Sequence, residues 1–128
     1  MMVPGGMGTV YAKVTFFSED RTREETVELI VDTRSLFTWI PEELIGRLEI
    51  RPTRVRRFRT IDGSIIERPV ADCRVRCEDE ESYTPVVFGR PGDASVLGIT
   101  ALEVLGLEVD PQNHRLKRGD AFIAYVTA

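Results

Sequence analysis

The sequence predicts an all-β domain with two short helices. Short apolar runs rich in Val, Ile, Thr and aromatic residues recur along the chain, separated by turn residues. Strict alternation within residues 25–32 puts Val27, Leu29 and Val31 on one face of a strand. Asp62-Gly63 is a strong indication of a hairpin turn. Many short strands with few helices are typical of a β-barrel-like domain.

The individual elements follow from these patterns. The predicted strands cover residues 9–17, 25–32, 36–40, 54–61, 64–77, 83–88, 95–98, 107–109 and 115–116. A helix is predicted to open at Pro41-Glu42-Glu43, because proline suits the first helical position and glutamates suit the positive end of the helix dipole. Leu44, Ile45 and Leu48 supply its buried stripe. A second helix is predicted over residues 99–106, with Gly106 as its stop.

Size and composition indicate one folded domain. The chain has 128 residues, 42% of them hydrophobic and 30% charged, as in ordinary globular proteins. We expect a flexible N-terminal tail at residues 1–8 and a single-lobed domain at residues 9–128. The net charge of -4 gives no general attraction to nucleic acid or anionic membranes. No stretch has the length of a membrane span and no signal peptide is visible, so the expected location is the cytoplasm.

Cys73 and Cys77 lie four residues apart in a predicted strand. At about 3.3 Å per residue their Cα atoms are about 13 Å apart, whereas a disulfide requires about 7 Å or less. Two thiols and the lone histidine also make a poor zinc site. We therefore expect ordinary strand cysteines, no bound metal and no cofactor.

Asp32 is the candidate for chemistry. It follows an apolar strand directly and precedes a tight turn, so its carboxylate is held near the core. Two such carboxylates brought together cannot both ionise easily. One holds a proton while the other acts as a base, so the pair can activate water and protonate a leaving amine.

Three elements in order give the sequence a family resemblance. Val31-Asp32-Thr33 with Ser35 comes first, the Asp62-Gly63 hairpin second, and Val96-Leu97-Gly98 followed by a helix third. Over about residues 9–116 this order resembles the retropepsin-like aspartic proteases of bacteria and archaea. The resemblance implies a retropepsin-like closed β-barrel of one lobe.

The resemblance also implies a role for each site residue. Asp32 would be catalytic, within an active-site loop that continues through Thr33, Arg34 and Ser35. The flap that contacts substrate would carry Thr60, Ile61, Asp62 and Gly63. Support for the loop would come from Val96, Leu97 and Gly98. Thr33 would link the two active-site loops of a dimer.

A single copy of the Asp loop implies a homodimer. The chain contains no second Asp-Thr-Gly or Asp-Ser-Gly and is too short for two lobes. In the family, each subunit supplies one aspartate, and the two meet across a twofold axis. Residues 121–126 are an apolar run and a candidate strand of an inter-subunit sheet. The expected partners are therefore a second copy and a peptide or protein substrate.

Arg34 departs from the family pattern, which has glycine at this position. A guanidinium beside Asp32 favours the ionised carboxylate and disfavours the protonated form that the mechanism needs. Three interpretations stay open. The chain is a catalytically impaired dimer that binds peptides or proteins, an active endopeptidase whose arginine swings aside and favours acidic substrates, or an otherwise ordinary protease with one altered residue.

Two further features have structural explanations that we prefer. Arginines at positions 47, 51, 54, 56, 57 and 59 form a local basic run in an acidic protein. A solvated strand face explains this run better than a nucleic-acid surface, since Phe58 is the one aromatic residue within it. Trp39 is expected to lie in the core rather than to contact a ligand.

Overall fold

The chain folds mainly into strands, as the sequence predicts. The computed structural model describes residues 9–119, so the predicted tail (1–8) and the predicted C-terminal strand (121–126) lie outside the described residues. The strands of the described part are β1 (Tyr11–Phe17), β2 (Glu24–Val31), β3 (Thr38–Pro41), β4 (Arg54–Arg59), β5 (Ile65–Cys77), β6 (Glu80–Gly89), β7 (Val96–Leu97), β8 (Leu107–Asp110) and β9 (Arg115–Arg118). Its two short helices are α1 (Glu42–Arg47) and α2 (Ile99–Leu105). The all-β class is confirmed.

Seven of these strands form one sheet in the order β1-β2-β7-β3-β6-β5-β4, and β8 pairs with β9 separately. An additional antiparallel pairing joins residues 15–17 of β1 to residues 74–76 of β5. The long β5 therefore contacts three partners, because it also pairs with β4 through residues 65–70 and with β6 through residues 70–77. The β1–β2, β4–β5, β5–β6 and β8–β9 connections are hairpins, and the short β7 inserts between β2 and β3.

The β1–β2 hairpin follows the predicted alternation. Leu29 is buried, and Val27 and Val31 pack against the main core cluster. Glu28, on the opposite face, is exposed. A strand with one apolar face and one polar face covers the core on one side and meets water on the other. This arrangement carries the chain to Asp32 at the end of β2.

Both helices begin and end near the predicted residues. Pro41 is the N-cap of α1, and Leu44, Ile45 and Leu48 are buried as predicted. α2 ends at Gly106, whose backbone adopts a left-handed conformation with φ of 71° that glycine accommodates without strain. No helix within residues 9–119 has the length and apolar character needed to span a membrane.

Two apolar clusters hold the fold together. The larger joins residues of the sheet to both helices and includes Val14, Phe16, Leu29, Ile45, Val75, Val86, Leu97 and Leu102. Each such side chain contributes about 1.5–3 kcal/mol through removal of apolar surface from water. The smaller cluster contains Phe37, Val70 and Val87, with Trp39 and Phe58 packed against them. This second cluster connects the β4–β5 hairpin to the segment that follows Asp32.

Candidate functional site

Asp32 is held in place by its own backbone. β2 and β7 run parallel, with Val31 opposite Leu97. The backbone N–H of Asp32 then donates to the carbonyl oxygen of Leu97 at 2.9 Å, and its carbonyl oxygen accepts from the N–H of Ser35 at 3.1 Å. The side chain of Asp32 remains 30% exposed. The carboxylate therefore sits on a fixed turn with access to solvent.

Arg34 contacts Asp32 twice. Its backbone N–H donates to Asp32 Oδ1 at 3.0 Å, and its side-chain Nε donates to the same oxygen at 3.3 Å. The Arg34 side chain is 92% exposed, so this ion pair is surrounded by water and contributes little to stability. The guanidinium of Arg34 is thus paired with Asp32 itself.

The loop after Asp32 is fastened to the start of α2. The N–H groups of Ile99 and Thr100 donate to the carbonyl oxygens of Ser35 and Leu36, at 2.8 Å and 3.1 Å. The Ser35 hydroxyl bonds the carbonyl oxygen of Phe37 at 2.7 Å. The two backbone bonds span more than sixty positions of the sequence and fix the loop against α2.

Gly98 makes this close approach possible. A Cβ atom at Gly98 would lie 2.4 Å from the carbonyl oxygen of Phe37 and 2.8 Å from that of Ser35. Neither backbone atom can move without displacing the loop. The N–H of Gly98 also donates to the buried Thr38 Oγ1 at 3.0 Å. The glycine is therefore required by space, and its predicted supporting role has a physical basis.

The tip of the β4–β5 hairpin is a compact polar turn. Asp62 Oδ1 accepts hydrogen bonds from Thr60 Oγ1, from Ser64 Oγ at 2.7 Å and from the Ser64 N–H at 3.1 Å. The side-chain bonds from Thr60 and Ser64 lower the pKa of Asp62 to about 2. Gly63 supplies the left-handed conformation of the turn, with φ of 90°. Ile61 extends from the tip into solvent, fully exposed.

An open groove of about 730 Å³ lies between the Asp32 turn and this hairpin. We call Asp32, Ser35, Trp39 and Val96 its loop side. We call Arg59, Thr60, Ile61, Asp62 and Ile66 its hairpin side. Gly92, Asp93 and Ala94 complete the lining.

The groove brings together six of the predicted site residues. They come from all three elements of the sequence pattern, and they are Asp32, Ser35, Thr60, Ile61, Asp62 and Val96. The other five do not line it. Thr33 and Arg34 are exposed beside it, Gly63 shapes the turn, and Leu97 and Gly98 are buried beneath the loop.

Trp39 has a larger part than the sequence indicated. It is half-buried, lines the groove, and packs against Phe58 with ring centroids 4.9 Å apart. Phe58 also meets Phe37 edge to face at 6.3 Å. Trp39 thus belongs both to the smaller apolar cluster and to the groove wall. Its position in an apolar run after Asp32 indicated burial. In the folded chain part of the side chain remains exposed and faces the groove.

An ion pair at the edge of the groove was also missed by the sequence reasoning. Arg68 donates to both carboxylate oxygens of Asp93, at 2.7 Å and 3.0 Å, and the two side chains are 12% and 17% exposed. The Arg90 N–H adds a bond to Asp93 at 2.8 Å. The Arg68 hydrogen bonds hold the pKa of Asp93 below its ordinary value. Asp93 is therefore a structural anion that fastens the 89–94 loop to β5.

The two cysteines are remote from this chemistry. Cys73 and Cys77 are free thiols, buried in β5. Burial raises the pKa of Cys73 to about 12 and that of Cys77 to about 11, so neither forms a reactive thiolate at neutral pH. Within residues 9–119, no three His, Cys, Asp or Glu side chains come together as a metal site.

Comparison with known proteins adds no family assignment. A scan against protein-family models and a search of curated proteins found no match to this chain. Function is therefore argued from the groove itself.

Proposed function

We propose that the chain is one subunit of a homodimeric, retropepsin-like aspartic endopeptidase. The observation that carries this proposal is Asp32, an anchored carboxylate beside a peptide-sized groove. The other two groove carboxylates are occupied: Asp93 by Arg68 through both oxygens, and Asp62 by its own turn through Oδ1. Among residues 9–119 the Asp32 carboxylate bonds to Arg34, whose own side chain is 92% exposed, so Asp32 is the groove acid best placed to act on a ligand.

One carboxylate cannot be base and acid in the same step, so a second must come from elsewhere. Since Asp62 and Asp93 stabilise the fold, the second carboxylate in this mechanism comes from another copy of the chain. Twofold pairing of two Asp32 turns would bring like charges together and leave one proton shared between them. The exposed turn at residues 33–34 leaves the surface around Asp32 open to such a partner.

In the proposed reaction, ionised Asp32 accepts a proton from water while the water oxygen attacks the peptide carbonyl carbon. Protonated Asp32 of the partner subunit donates its proton to the carbonyl oxygen. Collapse of the tetrahedral intermediate breaks the C–N bond: the now protonated Asp32 donates its proton to the leaving nitrogen, and Asp32 of the partner subunit accepts a proton from one of the two hydroxyl groups. Both carboxyl groups return to their own starting protonation states.

The strand arrangement supports a closed barrel of the same type. Pairings run from β1 through β2, β7, β3 and β6 to β5, and β5 pairs again with β1. These six strands form a closed ring of pairings, as a barrel requires, and β4 lies outside the ring. The order of Asp turn, hairpin and Gly98 junction agrees with the retropepsin-like pattern. The hairpin at Thr60–Gly63 would serve as the flap.

The ion pair between Arg34 and Asp32 favours a second candidate. The Arg34 guanidinium occupies Asp32 Oδ1, and two arginines would approach the twofold axis in a dimer. The same groove would then bind a peptide or protein segment without cleaving it. In this candidate the protein is a catalytically impaired, peptide-binding dimer.

Cleavage assays with three proteins separate the candidates. Wild type, Asp32→Asn and Arg34→Gly are incubated with an unfolded protein substrate from mildly acidic to neutral pH, and fragments are identified by mass spectrometry. For an endopeptidase, wild type cleaves and Asp32→Asn loses activity about 10²-fold or more. Absence of cleavage by wild type rules out the first candidate, and strong cleavage by Arg34→Gly alone supports the second.

A further inference from the structure

The groove combines an apolar wall with four charged side chains. Its apolar wall consists of Trp39, Ile61, Ile66 and Val96, which suits one apolar side chain of an extended ligand. Its charged groups are three carboxylates and one arginine, Arg59. The pairing of these charges decides which ligand the groove favours.

Each groove carboxylate already has partners within the described chain. Asp32 contacts Arg34, and Asp93 is bound through both oxygens by Arg68. Asp62 accepts three hydrogen bonds in its turn. By contrast, no ion pair to Arg59 is present among residues 9–119, although its side chain lines the groove. Arg59 is therefore the charged groove residue that has no ion-pair partner among residues 9–119.

The hairpin strengthens this positive character. Residues 54–68 carry five arginines and two acids, in a chain whose net charge is -4. Arg56 stacks at 4.9 Å over Phe37, which keeps a second guanidinium close to the apolar cluster beneath the groove. On the hairpin side of the groove a ligand meets Arg59, while Asp62 on the same side is hydrogen-bonded within its own turn.

We propose that the groove binds an extended peptide in which a glutamate or aspartate lies next to an apolar residue, with Arg59 pairing the acid. The apolar residue packs on Trp39 and the hairpin isoleucines. This inference rests on the proposed function only in taking the groove as the peptide site. It holds equally for an enzyme and for a binding module, because it concerns recognition before any bond is cleaved.

Trp39 provides the measurement, since it is the only tryptophan of the chain and lines the groove. Its fluorescence is titrated with two blocked peptides that are identical except for Glu or Gln beside a leucine. The protein carries Asp32→Asn, which prevents turnover. We expect the Glu peptide to bind about fivefold more tightly than the Gln peptide, as for a partly exposed ion pair.

Variants of Arg59 assign the preference. Arg59→Gln removes it, Arg59→Lys retains most of it, and Arg59→Glu reverses it toward a matching Lys peptide. Arg57→Gln is the control, because Arg57 lies on the same strand but does not line the groove. Circular dichroism checks that each variant is folded.

The outcomes separate this inference from the proposed function. Equal affinity for the Glu and Gln peptides, a preference that survives Arg59→Gln, or no peptide binding at all overturns the inference. A short RNA that quenches Trp39 when no peptide does would assign the basic hairpin to nucleic acid instead. Peptide binding with the Glu preference but no cleavage by wild type leaves the inference standing and rejects the endopeptidase.

Discussion

The two sides of the groove differ in how they are built. The loop side is fixed by backbone hydrogen bonds between residues 32–38 and 97–100, around a glycine that has no room for a side chain. The hairpin side ends in Gly63, with no atom within 4 Å of a Cβ placed there, and in the fully exposed Ile61. Changes to the loop side should therefore cost stability, whereas changes to the hairpin tip should alter ligand binding alone.

Gly98→Ala should have the largest effect on stability. The added methyl group meets backbone atoms at 2.4–2.8 Å, so the Asp32 loop or α2 must shift, at a cost of about 3 kcal/mol. Gly46→Ala is the matched control: it lies in α1 with nothing within 4 Å of its Cβ, and it should stabilise by about 0.5–1 kcal/mol. Urea unfolding measures both. Equal effects of the two substitutions would show that the loop is not tightly fastened.

Thr38→Val should have the next largest effect and lower the free energy of unfolding by about 2 kcal/mol. It removes the buried oxygen that accepts from the N–H of Gly98, and leaves that donor unsatisfied. Thr84 offers the same substitution without a lost bond, since its buried hydroxyl has no hydrogen-bond partner within residues 9–119. Thr84→Val should be neutral or slightly stabilising. A similar loss for both valine variants in chemical denaturation would contradict the assigned role of Thr38.

Local features of the fold could be predicted from the sequence, whereas the packing around Gly98 could not. The alternation in residues 25–32, the helix stop at Gly106 and the Asp62-Gly63 turn are local patterns, and the structure confirms all three. The space around Gly98 depends on a carbonyl sixty positions earlier, which no local pattern encodes. The resemblance pointed to Gly98, but only the fold supplies the reason.

The edge of the groove was beyond local patterns altogether. Arg68 and Asp93 lie 25 positions apart in the sequence, so no local pattern relates them. Trp39 lines the groove and also packs against Phe58 of the hairpin. Such contacts arise from tertiary packing, which hydrophobic periodicity and turn residues do not predict.

The Arg68–Asp93 ion pair, at the edge of the groove, should contribute less to the free energy of unfolding than Thr38 does and more than Ile61 does. Its contribution should depend on pH. Asp93→Asn should cost about 1.5 kcal/mol at neutral pH, because a hydrogen-bonded charge pair is lost. The lowered pKa of Asp93 makes this contribution fully present above its unfolded pKa of about 3.9. It is lost as the pH falls toward the folded value.

Thermal unfolding of wild type and Asp93→Asn at neutral pH and near pH 3 tests this pH dependence, since the difference between their Tm values should narrow in acid. A gap that widens in acid would mean that the ionised form of Asp93 does not stabilise the fold.

Ile61→Ala should have the smallest effect on stability, within about 0.5 kcal/mol, because the side chain is fully exposed. Peptide binding measured through Trp39 should nevertheless weaken, since Ile61 lines the groove. Val55→Ala is the control, as an exposed apolar residue of the same hairpin outside the groove lining. Unchanged peptide affinity in Ile61→Ala would remove the hairpin tip from the binding site.

Oxidative cross-linking of Thr33→Cys tests most directly whether two Asp32 turns meet. Thr33 is exposed next to Asp32, and the native thiols of Cys73 and Cys77 are buried with raised pKa values, so the introduced thiol reacts alone. A disulfide requires Cα atoms within about 7 Å. We predict a disulfide-linked dimer for Thr33→Cys, and none for Val104→Cys, an exposed position on α2. A solution dimer that does not cross-link at residue 33, or a chain that stays monomeric, would contradict pairing at Asp32.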